Sequence, residues 1–416
     1  MAAGRGDAPK RLLVLGAGPA QLGLLAAARE RGLYVVAADR DPGAVGFAYA
    51  DRRALVSTED EEGIDRLAEA EGVEGLIAPG IDWPVAIAAR IAQRRGVTHP
   101  VSPETAVLAT SKLKQRERFR ESGVPQPRWE LCRSLEEVEA AAGRLGLPVV
   151  VKAPDRQGQR GLGLVRTPEE LEPAAREALE AARTATAIVE RYAPGRELTV
   201  NAILVDGRFQ PLTITDRLVA DPPAFGVALA HVWPSALPAE TVTVACDAAA
   251  QAAAALGIER GPVYVQVLAG DEGPQVIELA ARVGGGHDAE LCRAALGVDL
   301  NSLALAAALG EEVPEEELRP EPRVGGACVR FLVPPAGSLA QVTGIEEAAV
   351  LPGIELVRIY RRPGHVFGPF RRGADRAGAI LAVGDSRDDA LAHAAAAAEA
   401  IRFELAPPDE LLGTPL

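Results

Sequence analysis

A chain of 416 residues, 48% hydrophobic and 25% charged, has the make-up of a globular protein too long for one ordinary core, which points to two or three domains. Its net charge of −14 argues against a nucleic-acid or anionic-membrane partner, and no stretch approaches the ~18 consecutive apolar residues of a membrane span. Cys132, Cys246, Cys292 and Cys328 stand far apart without CxxC or CxxH spacing and read as buried thiols in a reducing cytoplasm.

Residues 11–105 open with RLLVLGAG, an apolar run shorter than a signal core that ends in a glycine turn, so no secretory segment is expected. A helix and a second strand ending at Asp39 complete a βαβ unit. Further helices over 61–71 and 85–95, with the strand VEGLIAPG between them, predict a parallel α/β sheet. Gly16, Gly18 and Gly23 depart from G-x-G-x-x-G, because Gln21 takes the third glycine's place, while Asp39 sits where a ribose-binding acid would. A nicotinamide-dependent or ligand-binding protein is therefore one reading of this stretch, and a structural turn without nucleotide is another.

Only Lys10, Lys112, Lys114 and Lys152 are lysines among 44 basic residues, so a retained lysine asks for a reason. The ammonium is a compact charge that meets phosphate in tight sites where arginine's planar fork does not fit. Lys112 and Lys114 open a charged helix in TSKLKQRERFRESG. Lys152 ends the apolar strand 148–151, and a loop holding Gly158, Gln159, Arg160, Gly161 and Gly163 leads to the next strand. Free backbone N–H groups in such a loop suit a phosphate cover, although a flexible hairpin is the plainer alternative.

In AIVERYAPGRELTV a strand ends at Glu190, a hinge crosses 192–195, and Glu197 opens another strand. Backbone groups between two lobes can read an adenine edge and a carboxylate at Glu197 can hold ribose hydroxyls, but either acid is equally a surface charge. Residues 216–234 show no clear period, hold three prolines with His231 and Trp233, and predict a lid or substrate loop. A helix over 240–256 leads into GPVYVQVLAGDEGPQVIELAARVGGGH, two strands joined by a tight turn at 271–273. With the hairpin centred on Glu272, Gln266 faces Glu278 with Cβ atoms roughly 4.5 to 5.5 Å apart. A carboxylate and an amide oxygen suit Mg²⁺, which keeps water and substrate phosphate in its shell. Arg282 then meets anionic oxygens. A solvated hairpin face is the alternative, against which stands the placing of Glu278 and Arg282 among apolar neighbours and three glycines.

A helix over 289–296 follows, and the acidic, proline-punctuated EEVPEEELRPEPR marks a boundary near residue 320. Beyond it, short strands and a closing helix over 388–401 predict a small α+β piece.

In this order the motifs resemble the ATP-grasp superfamily from about residue 11 to about 405, with closest likeness to carboxylate-amine ligases of the L-amino-acid ligase type and to the synthetase domains of the carbamoyl-phosphate synthase large subunit. The resemblance implies an α/β and α+β architecture: a Rossmann-like domain over 1–108, a two-lobed ATP-grasp domain over 109–318, and a small α+β domain over 319–416. It implies Lys112 and Lys152 as phosphate lysines, 158–163 as the mobile glycine-rich loop, Glu190, Tyr192 and Ala193 as adenine hinge, and Glu197 as ribose acid. Gln266 and Glu278 become the metal pair for Mg²⁺ or Mn²⁺, and Arg282 the phosphate or acyl-phosphate ligand. Two departures stand out: many members carry an acid at the position of Gln266, and a frequent asparagine is Ala280 here. AHVWPS with His231, the run Gly285, Gly286 and His287, and RRPGHVF resemble the amino-acid ligase branch and imply substrate contacts. The implied reaction joins a small-molecule carboxylate to an amine through an acyl phosphate at the expense of ATP, with bicarbonate activation as the alternative. Homodimers are common in the superfamily.

Overall fold

The computed structural model describes residues 8–406. Four strands, β1 (Arg11–Leu15), β2 (Tyr34–Ala38), β3 (Arg52–Ala54) and β4 (Gly75–Ile77), pair in parallel in the order β3-β2-β1-β4. Helices Leu22–Glu30, Glu61–Glu71 and Trp83–Arg95 accompany them. Asp60 caps the second of these by accepting from Gly63 N–H, and Gly72 and Gly96 end the last two in the left-handed conformation that glycine adopts without a Cβ clash.

The glycine turn after β1 is closed by its own side chains. Asp39 accepts Ala17 N–H at 2.8 Å, Gln21 accepts Gly18 N–H at 2.9 Å, and Gln21 Nε2 donates to Pro79 O at 2.6 Å. The donors that would cradle a pyrophosphate are thus already used, and the acid that would hold a ribose already accepts the N–H groups of Ala17 and Asp41.

A second, antiparallel sheet is formed by β5 (Trp129–Cys132), β6 (Val149–Lys152), β7 (Leu162–Val165) and β8 (Ala187–Arg191), in the order β5-β8-β6-β7. Helices Leu135–Leu145 and Leu171–Ala181 cover it, around a core that includes Val138, Val149, Val151, Val165 and Val189. The loop between β6 and β7 is the glycine-rich segment.

The remaining strands are β9 (Arg196–Val205), β10 (Arg208–Val219), β11 (Ala228–Trp233), β12 (Gly261–Gly270), β13 (Gly273–Ala280), β14 (Gly326–Leu332), β15 (Gly337–Thr343), β16 (Ile354–Ile359), β17 (Val366–Phe367), β18 (Gly378–Gly384) and β19 (Arg402–Leu405). Eight of them make one sheet in the order β13-β12-β9-β10-β11-β14-β18-β16, and β17-β15-β19 form a small fourth sheet. The boundary expected near 320 falls in a loop, yet the sheet runs across it, because β14 pairs with β11. Helices Ala239–Ala255 and Leu300–Ala308 are buried along alanine-rich faces, which let them pack closely.

One sequence expectation is corrected. Residues 216–234 are not one irregular loop: β10 runs to Val219, β11 starts at Ala228, and only the short 220–227 link, with Pro222 and Pro223, connects them. Burial conceals the alternation there, since Asp216, Arg217 and His231 are all buried polar residues.

Candidate active site

A cavity of about 1110 Å³ lies between the small antiparallel sheet and the eight-stranded sheet. Its floor is the hairpin β12–β13. Gln266 faces Glu278 there, but only because a bulge falls between Gln266 and Val267. Pairs from Gly270–Gly273 to Val267–Val276 keep one register, and the bulge skips Ile277 to bring Glu278 opposite Gln266. Gln266 Nε2 donates to Tyr264 Oη at 3.0 Å, which leaves its carbonyl oxygen as the amide's acceptor.

Glu278 sits in a ring of cations. Lys112 Nζ is 3.5 Å from its Oε2. Burial pushes the Glu278 carboxyl up, and the charges of Lys112, Lys152, Arg282 and Arg217 outweigh that and hold it below the usual carboxylate range. Lys112 starts helix Lys112–Glu121 after the Ser111 cap, and its Nζ also donates to Arg156 O at 2.7 Å, at the root of the glycine-rich loop. Arg282 Nε donates to Asp82 Oδ1 at 2.7 Å, so the segment between β4 and helix Trp83–Arg95 orients this guanidinium. Asp82 went unnoticed in the sequence, being 200 positions away from its partner.

Lys152 ends β6 and is buried, with Nζ 2.8 Å from Glu190 Oε1. Arg116 Nε donates to the same oxygen at 2.6 Å, and its other nitrogens donate to Val276 O and Ile277 O on β13. Burial lowers the Lys152 ammonium to about 8 despite Glu190. Burial pushes Glu190 up, but Arg116 and Lys152 prevail and bring it to about 2. Glu190 therefore joins the two lobes as an ion-pair centre as well as lining the cavity. Arg116 lies four positions after Lys112 on the same helix face, and nothing local in the sequence marks it.

The hinge follows directly. Tyr192 N–H donates to Pro148 O at 3.1 Å, and Tyr192 and Ala193 both line the cavity. Glu197 lines it too and accepts from Arg217 Nη1 at 2.5 Å. Gly158, Gln159 and Arg160 lie on the opposite wall. Gly158 has φ +65° with open space around its missing Cβ, as a mobile cover needs. Gly161 packs instead: a Cβ there would meet Ala181 Cβ at 2.8 Å.

His231, Gly285, Gly286 and His287 fall outside the lining of this cavity. His231 is buried edge-on to Phe331, 3.4 Å from Asp288, and desolvation depresses it to about 4. His287 pairs through Nε2 with Tyr360 Oη at 2.5 Å and lies 3.2 Å from Glu290. Gly285 lies against the loop after β4, where an added Cβ would stand 3.1 Å from Gly80 O. No group of three or more His, Cys, Asp or Glu side chains gathers at metal-binding distance among the described residues. Two oxygens, from Gln266 and Glu278, nevertheless fit a hard cation that takes its other ligands from water and phosphate.

Residues 112–316 match the family model of the carbamoyl-phosphate synthase L chain ATP-binding domain, and residues 330–406 that of the L-amino acid ligase C-terminal domain 2. Over its whole length the chain is similar to the L-amino acid ligase of Bacillus licheniformis, with TM-score 0.82, 21% identity, and coverage of 97% of this chain and 100% of that one. The biotin carboxylase domain of Hydrogenobacter thermophilus 2-oxoglutarate carboxylase, crystallised with MgADP and bicarbonate, superposes with TM-score 0.77 at 21% identity, covering 95% and 90%. In sequence, the formate-dependent phosphoribosylglycinamide formyltransferase of Burkholderia pseudomallei is 26% identical over 420 residues, covering 94% of this chain and 95% of its own. With two lobes closing on a lysine-lined cleft over a glutamine–glutamate pair, and with these matches on either side of residue 320, the chain belongs to the ATP-grasp superfamily of ATP-dependent ligases.

Proposed function

We propose that the chain is an ATP-dependent carboxylate-amine ligase that forms an amide or peptide bond through an acyl phosphate, with an amino acid as one substrate. The observation that carries this reading is the convergence of Lys112, Lys152, Arg282 and Arg217 on Glu278 in one cleft. Such a cluster neutralises phosphate charge rather than generating a side-chain nucleophile.

In this reading the adenine enters at the hinge of 192–195, the ribose hydroxyls meet Glu197, and the loop of 158–161 covers the phosphates. A carboxylate oxygen of the first substrate attacks the γ-phosphorus, the bond to the β,γ-bridging oxygen breaks, and ADP leaves. Lys112 and Lys152 neutralise the charge that develops, while Arg282, fixed by Asp82, holds the acyl-phosphate oxygens. The neutral amine then attacks the acyl carbon, phosphate departs with the C–O bonding electrons, and the nitrogen loses a proton. Gln266 and Glu278 would hold Mg²⁺ or Mn²⁺, which would supply neutralisation of phosphate charge there.

The domain limits used in this reading are 1–108, 109–318 and 319–416. Both substrates are small molecules. As assembly we propose a homodimer, the form in which the Hydrogenobacter domain was crystallised. No single helix among the described residues is long and apolar enough to cross a membrane, and the free thiols of Cys132, Cys246, Cys292 and Cys328 agree with a reducing cytoplasm.

The test is phosphate release from Mg-ATP across a panel of single and paired amino acids and small acids, with Glu278→Ala as blank. Release that needs a particular carboxylate and amine, with ADP as co-product and loss of at least about 10²-fold in Glu278→Ala, is the expected result. Turnover in Glu278→Ala equal to wild type refutes the site. Release with bicarbonate alone reassigns the enzyme to carboxyphosphate formation.

A further inference from the structure

The root of the glycine-rich loop is tied to the end of helix Leu171–Ala181. Asp155 accepts the N–H groups of Arg183 and Thr184 at 3.0 and 3.2 Å, and Arg156 Nε donates to Ala181 O. Loop root and helix end therefore form one unit. That unit is seated on two adjacent residues at the start of helix Trp83–Arg95. Gln157 Oε1 accepts Asp82 N–H at 3.0 Å, and only the oxygen of a side-chain amide can do so, which fixes how the amide is turned. The Arg183 guanidinium carbon lies 4.1 Å from the centroid of the Trp83 ring, and Arg183 Nη2 is 2.8 Å from Glu59 Oε2.

Both ties of the loop root lead on to Glu278. Asp82, whose N–H Gln157 accepts, holds Arg282 through its carboxylate, and Arg282 is one of the cations that lower Glu278. Lys112, 3.5 Å from Glu278, donates to Arg156 O, one residue before Gln157. Two consecutive residues of the loop are thus pinned to the two arms that flank the carboxylate, and all of these side chains line the one cavity. Past Gln157 the ties weaken, since Gln159 Nε2 reaches Gly226 O only at 3.5 Å.

An acyl phosphate reacts with whichever nucleophile reaches it. Water attacking the acyl carbon returns the carboxylate and releases phosphate and a proton, so that ATP is consumed and no amide forms. We propose that Gln157 is a positioning residue: by accepting Asp82 N–H it seats the cover on the same residue that orients Arg282, so that arginine and cover come into place together and water is kept from the intermediate. This rests on the ligase reading above.

The test compares phosphate released with amide formed in wild type, Gln157→Met, which keeps the reach and loses the acceptor, and Gln157→Glu, which keeps an acceptor. Wild type should release about one phosphate per amide. Gln157→Met should lower the kcat for amide about fivefold, the effect of one lost hydrogen bond, and release about three or more phosphates per amide, with the KM for ATP changed by less than about threefold. Gln157→Glu should return the ratio toward that of wild type. Arg183→Met, which removes the contact with Trp83 beside Asp82, should leak in the same direction as Gln157→Met, and it carries the test if Gln157→Met does not fold. A wild-type ratio in Gln157→Met, or a ratio in Gln157→Glu as high as in Gln157→Met, overturns the assignment. Absence of amide from wild type with every substrate pair defeats the ligase reading and this proposal with it, whereas amide formation with an unchanged ratio in the variants defeats only the role of Gln157.

Discussion

Replacing Glu190 with glutamine should be among the most destabilising isosteric changes available in this cleft. One carboxylate oxygen serves two cations, Arg116 at 2.6 Å and Lys152 at 2.8 Å, and the three side chains are 4%, 1% and 6% exposed respectively. Glutamine keeps the shape and removes the charge, which leaves a guanidinium that cannot deprotonate in a desolvated site. Breaking a buried ion pair from one side costs about 3–5 kcal/mol, a large share of a total stability of roughly 5–15 kcal/mol. Urea unfolding of wild type, Glu190→Gln, Arg116→Met and the double variant measures it, and the cycle should return a coupling of about 2 kcal/mol or more. The pH dependence supplies a second check. The Glu190 carboxyl is lowered from 4.5 to about 2, so its contribution is present above 4.5 and is lost as pH falls toward 2. Glu190→Gln should lack that part of the acid destabilisation. A loss below about 1 kcal/mol with coupling below about 0.5 kcal/mol would refute the ion-pair centre.

The Lys152 ammonium, lowered to about 8, is charged below that pH and neutral above it. Affinity for ATP, measured by calorimetry or nucleotide fluorescence, should therefore weaken as pH rises through about 8, and Lys152→Arg should flatten the profile; a flat wild-type profile argues against the phosphate role. Limited proteolysis at Arg156 or Arg160, on the glycine-rich loop, should slow when ATP and Mg²⁺ are added. Equal cleavage rates with and without nucleotide would argue against the loop as a phosphate cover.

Much of the fold was legible because its signals are local. The helix expected over 61–71 is found as Glu61–Glu71, and Asp60 and Gly72 at its two ends are ordinary start and stop residues. The facing of Gln266 and Glu278 was read from a symmetric hairpin, and the structure reaches it by a bulge that periodicity does not announce. Arg116, Asp82 and Gln157 were not legible. Each takes its meaning from a partner on a distant element: β8 and β13 for Arg116, the hairpin's end for Asp82, the start of helix Trp83–Arg95 for Gln157. The end of β10 from residue 216 and strand β11 were missed for a related reason, as the buried positions Asp216, Arg217 and His231 are polar and so hide the apolar alternation that marks a strand.

The continuity of the eight-stranded sheet bears on how the molecule can be divided. A fragment cut at residue 318 would keep every residue of the proposed nucleotide site up to Arg282 but would strip β14, β18 and β16 from the ladder. The backbone groups of β11 from Ala230 to Trp233, now paired with β14, would become an open edge flanked by the apolar side chains of Val232 and Trp233. Bare edges of that kind recruit strands from other molecules, so the fragment should self-associate rather than survive as a soluble nucleotide binder. The carboxyl-terminal strands thus act as the selvedge that keeps the ATP-handling part from unravelling into its neighbours.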